Sequence, residues 1–403
     1  MFSFHQFDRV AEMDDTPQGV VMPPLLPDGF GSFWYSEGDL VNQLVDKYGE
    51  DFAVDVIEAH RSSYISDSDL DAMRAAGITS VRMPVGWWAF IPESLEDEAK
   101  VISDPAHPDR KFVTITQAFL KDQIERFESH GLDVLLDIHA FPGGSANGSY
   151  NGVYPNEPKF FSSPDLMTQG MDIIDSLADF FLSFDDATRN GIIGVTLMNE
   201  PAHLLDGDSA DTMQVWLKAA IGAWRDKVVT AVATPPKMYV NLIETAISPA
   251  DMITFMHSAF SDEELDTWAV LDVHHYFAWD SGHSGCDENS GNTCGYNCST
   301  SATSEGLDEI KEIVTDGCAT SHEFWISEGT VPMISCSEYS LATFENSNVA
   351  CRGDTVLSAM FNAQKQSFED QGLEAAWFWT WKMPYGGSHE YAWSLKHYLG
   401  LGH

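Results

Sequence analysis

Short apolar segments bounded by glycine or proline recur along this 403-residue chain, each preceded by a stretch with helical spacing. That alternation predicts a parallel sheet covered by helices. About eight such units point to a closed (β/α)8 TIM barrel, a fold that reaches this length as one domain when its loops carry insertions. Polar or charged residues end nearly every segment while segment interiors are apolar, as in a barrel that gathers its strand ends on one face. No internal repeat or interior linker interrupts the pattern, so residues 1–403 read as a single domain with loop insertions on the face that gathers the strand ends.

Residues 1–35 are rich in Pro, Gly and Asp and read as an irregular N-terminal segment, with a first strand near Val20–Met22 or Phe30–Tyr35. Leu40, Val41, Leu44 and Val45, then Phe52, Val54 and Ile57, recur at helical spacing across Leu40–Ser63. A second helix is expected over Ser66–Ala76, with Ser66 or Asp67 as its cap and Gly77 as its stop. The strand Thr79–Pro84 follows. A helix at Thr116–His130 ends at Gly131 and leads to the strand Asp133–His139 and a Gly/Asn-rich loop from Pro142 to Asn156. The next helix, Asp165–Phe184, precedes Gly194–Pro201, where an apolar run ends in Asn199-Glu200-Pro201. Proline offers no N–H to a sheet, so Pro201 stops the strand and leaves Glu200 at its carboxyl end. A helix at Asp211–Ala233 precedes the strand Lys237–Leu242, and Ala250–Phe260 reads as helix before the strand Trp268–His275. Beyond a Cys-rich loop at 280–304, a helix at Ser304–Thr315 leads to a strand at Glu323–Glu328. The last unit is a helix at Asp354–Gln371 with a strand at Glu374–Trp381.

Asp and Glu number 62 against 21 Lys and Arg, a formal net charge of −41. Such a surface repels nucleic acid, anionic membranes and acidic polysaccharides, which leaves a neutral partner and favours a monomer kept soluble by repulsion. No run of about 18 apolar residues exists, so no membrane insertion is expected. All six cysteines lie between Cys286 and Cys351. An even number in loop-rich sequence points to disulfides and an oxidising, extracellular or cell-wall compartment. A zinc site with His283 is the competing reading, but the spacings match no common zinc pattern. Asn147-Gly148-Ser149 and Asn297-Cys298-Ser299 fit the N-glycosylation pattern. The first residues have neither the basic start nor the apolar core of a signal peptide, so a secreted protein would be seen here as a mature form or a fragment.

The expected strand-end residues are Arg82, His139, Asn199 with Glu200, His274 with Tyr276, Glu328, and Trp379 with Trp381. Any one of them has a structural reading, as a cap, a satisfied core histidine or a surface ion pair. Together they fit one chemistry. Glycoside hydrolysis needs two carboxyl groups flanking the scissile bond, one to donate a proton to the leaving oxygen and one to attack the sugar carbon or activate water. The donor must hold its proton near working pH, and the attacker must stay ionised, which a neighbouring arginine favours. Tryptophan offers a flat apolar wall to a pyranose ring. This chemistry calls for no cofactor and no metal.

The motifs resemble glycoside hydrolase family 5, and more narrowly its exo-β-1,3-glucanase branch. The matching stretches are Val81–Phe90, Asp137–Ala140, the loop from Pro142 to Gly148, Met198–Pro201, His274–Tyr276, Ile326–Glu328 and Phe378–Lys382, with Cys336 eight positions after Glu328. The resemblance implies a barrel with catalytic glutamates after strands four and seven: Glu200 as acid/base and Glu328 as nucleophile. It further implies that Asn199 binds the sugar 2-hydroxyl and that Arg82 and Tyr276 hold the nucleophile. His139 and His274 would line the subsite of the reacting sugar, Trp381 would form its floor, and Tyr150 and Trp279 would clamp its entrance. Retention of anomeric configuration follows, with carboxyl groups about 5–5.5 Å apart. The chain departs from the branch in residues 18–37, which lack its glycine-rich first strand and substrate-binding glutamate, and in Ser327 and Gly329, which stand where glycine and tryptophan flank the nucleophile.

A neutral β-glucan or oligosaccharide is the expected substrate, most directly for an exo-acting glucan β-1,3-glucosidase. An endo-β-glucanase or β-mannanase of the same family keeps the mechanism and changes the cleft. A non-catalytic glycan-binding barrel, and a metal-dependent hydrolase using His274 and His275, are the readings from other classes.

Overall fold

The computed structural model describes residue 26 and residues 34–243, 246–277, 333–343, 354–370, 372–382 and 393–402. These group into two compact units, one of Met1–Ser248 with Phe255–Val270 and the other of Pro249–Thr254 with Leu271–His403. The candidate first strands, the Cys-rich loop, the helix expected at 304–315 and the strand expected at 323–328 lie outside the described residues, apart from Trp34 and Tyr35.

The first unit opens with helices α1 (Glu37–Tyr48), α2 (Glu50–Ser63) and α3 (Asp67–Ala75). The continuous helical spacing of Leu40–Ser63 is divided by Gly49, which ends α1 and caps α2 with φ 94° and ψ 168°. Their apolar faces meet Trp34 and Val113 in a small cluster built on Leu40, Val41, Leu44, Val56 and Ile57. Ser66 and Asp69 close a reciprocal capping box at the start of α3, satisfying two N–H groups that a helix end leaves free.

Strand β1 (Ser80–Gly86) then pairs in parallel with β4 (Asp133–Ala140), β4 with β5 (Ile192–Thr196), and β5 with β6 (Lys237–Asn241). Between β1 and β4 lie a hairpin of β2 (Val101–Ser103) and β3 (Lys111–Val113), and helix α4 (Gln117–Ser129), capped by Thr116. Helices α5 (Pro164–Leu182) and α6 (Asp186–Gly191) lead into β5, and α7 (Gly207–Trp224) leads towards β6. Strand β4 is buried along its whole length after Asp133, as a strand covered on both faces should be. At Gly194 of β5 a Cβ would fall 2.3 Å from the ring of Tyr239 and 2.8 Å from the Lys237 carbonyl, so only glycine allows β5 and β6 this approach.

Helices α8 (Pro249–Ala259) and α9 (Asp262–Leu265) precede strand β7 (Ala269–Phe277). In the second unit β8 (Met333–Thr343) pairs in parallel with β9 (Ala376–Phe378). Helix α10 (Asp354–Asp370) joins those two strands, and α11 (Leu395–Tyr398) follows. Parallel strands alternating with helices in chain order are those of the (β/α)8 barrel that the sequence predicts.

Candidate active site

Glu200 does not stand on a strand. Strand β5 ends at Thr196, and the chain turns sharply through Asn199-Glu200-Pro201. Glu200, Ala202 and Leu204 all take positive φ, at 38°, 58° and 57°. Non-glycine residues adopt such angles at a cost of about 1–2 kcal/mol each, and strain of this kind concentrates at functional sites. Four backbone anchors hold the turn. Asn199 N–H donates to the Ile138 carbonyl at 2.9 Å, Ala202 N–H to Ser145 at 2.9 Å, and Asn147 N–H to His203 at 2.9 Å. The Glu200 N–H donates to the side-chain oxygen of Asn241 at 2.6 Å, at the end of β6.

Under this turn lies a buried polar chain. Leu135, Asp137 and His139 fall on one face of β4 because side chains alternate along a strand. One carboxylate oxygen of Asp137 lies 2.6 Å from Nδ1 of His139 and 3.1 Å from Nη2 of Arg82. Arg82 sits within β1, four residues before its end, and also donates to Oδ1 of Asn199 at 2.6 Å. With its Nδ1–H given to Asp137, His139 keeps Nε2 as an acceptor, and the Asn199 amide nitrogen lies 3.4 Å from it. The network orients Asn199 from both ends of its amide. Asp137 carries no role in the sequence reading; an acid between the apolar residues Leu136 and Ile138 is its signal.

Beside the turn, Nδ1 of His203 lies 2.7 Å from Oε2 of Glu200 and 2.8 Å from the hydroxyl of Tyr150. The Tyr150 ring meets His139 edge-on, with centroids 5.9 Å apart. Tyr150, expected as an entrance clamp, is thus part of the Glu200 surroundings. The loop that delivers it turns at Gly143 and Gly144, with φ 74° and 80°. Asp104 fixes this loop by accepting the Gly143 N–H at 2.8 Å, and burial pushes its carboxyl above the ordinary aspartate value in spite of that bond.

The second unit holds its own cluster. The Tyr276 hydroxyl donates to Oε2 of Glu338 at 2.5 Å, and Nδ1 of His274 lies 3.5 Å from the same oxygen. Asp272, fully buried on β7, accepts the Ser335 hydroxyl at 2.8 Å, the Ser337 N–H at 2.9 Å and the Ser337 hydroxyl at 2.5 Å. Nε2 of His274 lies 3.1 Å from that Ser337 hydroxyl. Trp379 and Trp381 are buried after β9, and Trp393 packs on Tyr276 with ring centroids 5.5 Å apart. Glu328 and Trp279 lie outside the described residues. The glutamate that the structure sets against His274 and Tyr276 is Glu338, ten residues after Glu328 and likewise preceded by a serine.

Residues 45–375 match the family model described as Cellulase (glycosyl hydrolase family 5). Among curated proteins, the chain is 28% identical over 207 residues to a glucan 1,3-beta-glucosidase of Kluyveromyces lactis, a match covering 49% of this chain and 44% of that protein. A second glucan 1,3-beta-glucosidase, from Candida oleophila, is 29% identical over 49% of this chain and 43% of its own length. The match to these two relatives therefore spans less than half the length of either. With a glucan 1,3-beta-glucosidase of Pichia angusta the match is 25% over 395 residues, covering 89% of this chain and 78% of that one. Among solved structures, rutinosidase from Aspergillus niger superposes with a TM-score of 0.62 at 16% identity, over 91% of this chain and 88% of that one, and so shares the fold. The family model covers most of the chain, and the chain belongs to glycosyl hydrolase family 5.

Proposed function

We propose that this protein is a retaining β-glycosidase that removes glucose from the ends of neutral β-1,3-glucan chains, working outside the cell as a monomer without cofactor or metal. The observation that carries the reading is the strained Glu200 turn, with Asn199 held between Arg82 and His139 and Glu200 held by Asn241 and His203. The names of the curated relatives support the β-1,3-glucosidic substrate. A surface of net charge −41 also favours a neutral chain.

Glu200 is the acid/base in this reading. Glu338 is the nucleophile in place of Glu328, because Tyr276 and His274 both address one of its oxygens and so orient its carboxylate. The Glu338 carboxylate attacks the anomeric carbon as the bond to the leaving oxygen breaks and that oxygen takes the proton of Glu200. Water then adds to the same carbon, the bond to Glu338 breaks, and Glu200 recovers its proton from the water. Each half reaction inverts the carbon, so the product retains the starting configuration. In this reading Asn199 binds the sugar 2-hydroxyl and Trp381 serves as an apolar wall.

The test is hydrolysis of laminarin and of cello- and manno-oligosaccharides by the wild type and by Glu200→Gln, Glu338→Gln and Glu328→Gln, with products followed by chromatography and anomer-resolved NMR. β-Glucose released stepwise from laminarin, lost by roughly 1,000-fold or more in Glu338→Gln and kept in Glu328→Gln, is the expected result. Loss in Glu328→Gln with activity kept in Glu338→Gln would return the role to Glu328. Mixed oligosaccharide products would mean an endo-acting cleft.

A further inference from the structure

We propose that His203 is a positioning residue for the acid/base, a role that rests on the reading of Glu200 as the proton donor. Three residues after Glu200, on the same strained turn, His203 presents Nδ1 to Oε2 at 2.7 Å. A single proton must lie between those two atoms, because two lone pairs would repel at that distance. If the proton sat on Oε2, the acidic hydrogen of Glu200 would point at an imidazole instead of at a substrate. If it sits on Nδ1, Oε2 is fixed as the accepting oxygen and Oε1 is left as the one that carries the transferable proton. The Tyr150 hydroxyl oxygen, 2.8 Å from the same nitrogen, accepts a second share of that N–H, and its ring stacks on the imidazole with centroids 6.2 Å apart. The His203 carbonyl accepts the Asn147 N–H, so the residue is held at both its backbone and its side chain.

The arrangement favours the transition state. As Oε1 gives its proton to the leaving oxygen and the bond to the anomeric carbon breaks, Glu200 gains negative charge. The hydrogen bond from Nδ1 then becomes one to a carboxylate, which is roughly twice as strong as a neutral one. When water attacks in the second half reaction, Oε1 takes up its proton and the bond relaxes again. His203 neither gives nor takes a proton in this cycle.

The test compares kcat/KM of wild type, His203→Leu and His203→Asn on two substrates, a laminari-oligosaccharide and 2,4-dinitrophenyl β-glucoside. The first needs help in expelling its leaving group and the second does not. Removing the help given to a general acid is expected to cost His203→Leu about 10–100-fold on the oligosaccharide. The loss on the activated glucoside should be at least ~10-fold smaller, because proton donation contributes little there. In His203→Asn the amide nitrogen stands close to where Nδ1 was, so much of the loss should be recovered. An equal loss on both substrates would show a packing role and overturn the proposal, as would no loss on either. Glu200→Ala is the control on the reading beneath it. It should lose most on the oligosaccharide and regain turnover of the activated glucoside with azide, giving the β-glycosyl azide. A Glu200→Ala enzyme that behaves as wild type, or a wild type that turns over neither substrate, would remove that reading, and the proposal with it, whatever His203→Leu does.

Discussion

Asp137 is the residue on which most of the first cluster turns. It is fully buried and touches both Arg82 and His139 through one oxygen. Asp137→Asn keeps the volume and removes the charge. A hydrogen bond to a charged group is worth about 1.5–3 kcal/mol, so kcat/KM should fall roughly 10–100-fold if that stabilisation is lost at the transition state. Nitrogen NMR of His139 should show its ring proton moving away from Nδ1, the nitrogen that faces residue 137; an unchanged tautomer with unchanged kcat/KM would mean that Asp137 only fills space. The sequence singles out Arg82, His139, Asn199, Glu200, His274 and Tyr276 because each is a polar residue breaking an apolar run near an expected strand end. Glu338 does not stand out in the same way. Phe324-Trp325-Ile326 before Glu328 looks like a buried strand, whereas the serines before Glu338 break the apolar pattern. Those serines are buried because Asp272 on β7 accepts their hydroxyls, a pairing 63 to 65 residues apart that no local periodicity can reveal. His203 was missed for a related reason: only the turn's positive φ angles bring it back onto Glu200.

Elements were read well where the chain carries its own stop signals. Capping by Ser66 and Thr116 and the β1 and β4 strands follow the expected boundaries within two residues. Strand β5 ends earlier than Asn199 because the Glu200 turn must be wound from the residues after Thr196. The division of the first helical stretch at Gly49 depends on a backbone conformation instead of an apolar pattern. At φ 94° and ψ 168° Gly49 lies in a region almost reserved for glycine. A Cβ there would meet nothing within 4 Å, so Gly49→Ala isolates the backbone cost, expected at about 1–3 kcal/mol in urea unfolding. Gly207 at the start of α7 is equally open but has an ordinary φ, and Gly207→Ala should be neutral or stabilise by up to about 1 kcal/mol. Equal effects of the two substitutions would mean that the α1–α2 junction accommodates a side chain and that Gly49 does not set the break.

At the scale of the whole molecule the acidic excess governs how stability responds to pH. With 62 acidic side chains against 21 Lys and Arg, raising pH through the carboxylate range charges the folded surface against itself. One buried pair adds to this trend. Glu37 on α1 and Arg61 on α2 meet at 3.0 Å, both almost fully buried, and Arg61 also donates to the carbonyls of Val113 and Thr114. Burial outweighs their attraction: it pushes Glu37 up to about 7 and Arg61 down. Between the unfolded glutamate value of 4.5 and about 7, the folded chain holds a proton that the unfolded chain has released. Stability contributed by this group is therefore complete below the unfolded value and is lost as pH rises to the folded one. The loss is on the order of 3 kcal/mol at about 1.4 kcal/mol per pKa unit. Glu37→Gln removes the titration while its amide oxygen still accepts from Arg61. The predicted outcome is a flatter fall in urea-unfolding free energy between pH 4.5 and 7 than in the wild type, with the remaining slope reduced by added salt because it belongs to the exposed carboxylates. The slope, not the level, is the readout, since the substitution also alters the packing of α1 against α2. A wild-type slope unchanged in Glu37→Gln would place the whole pH response on the surface charge and leave the buried pair ionised throughout.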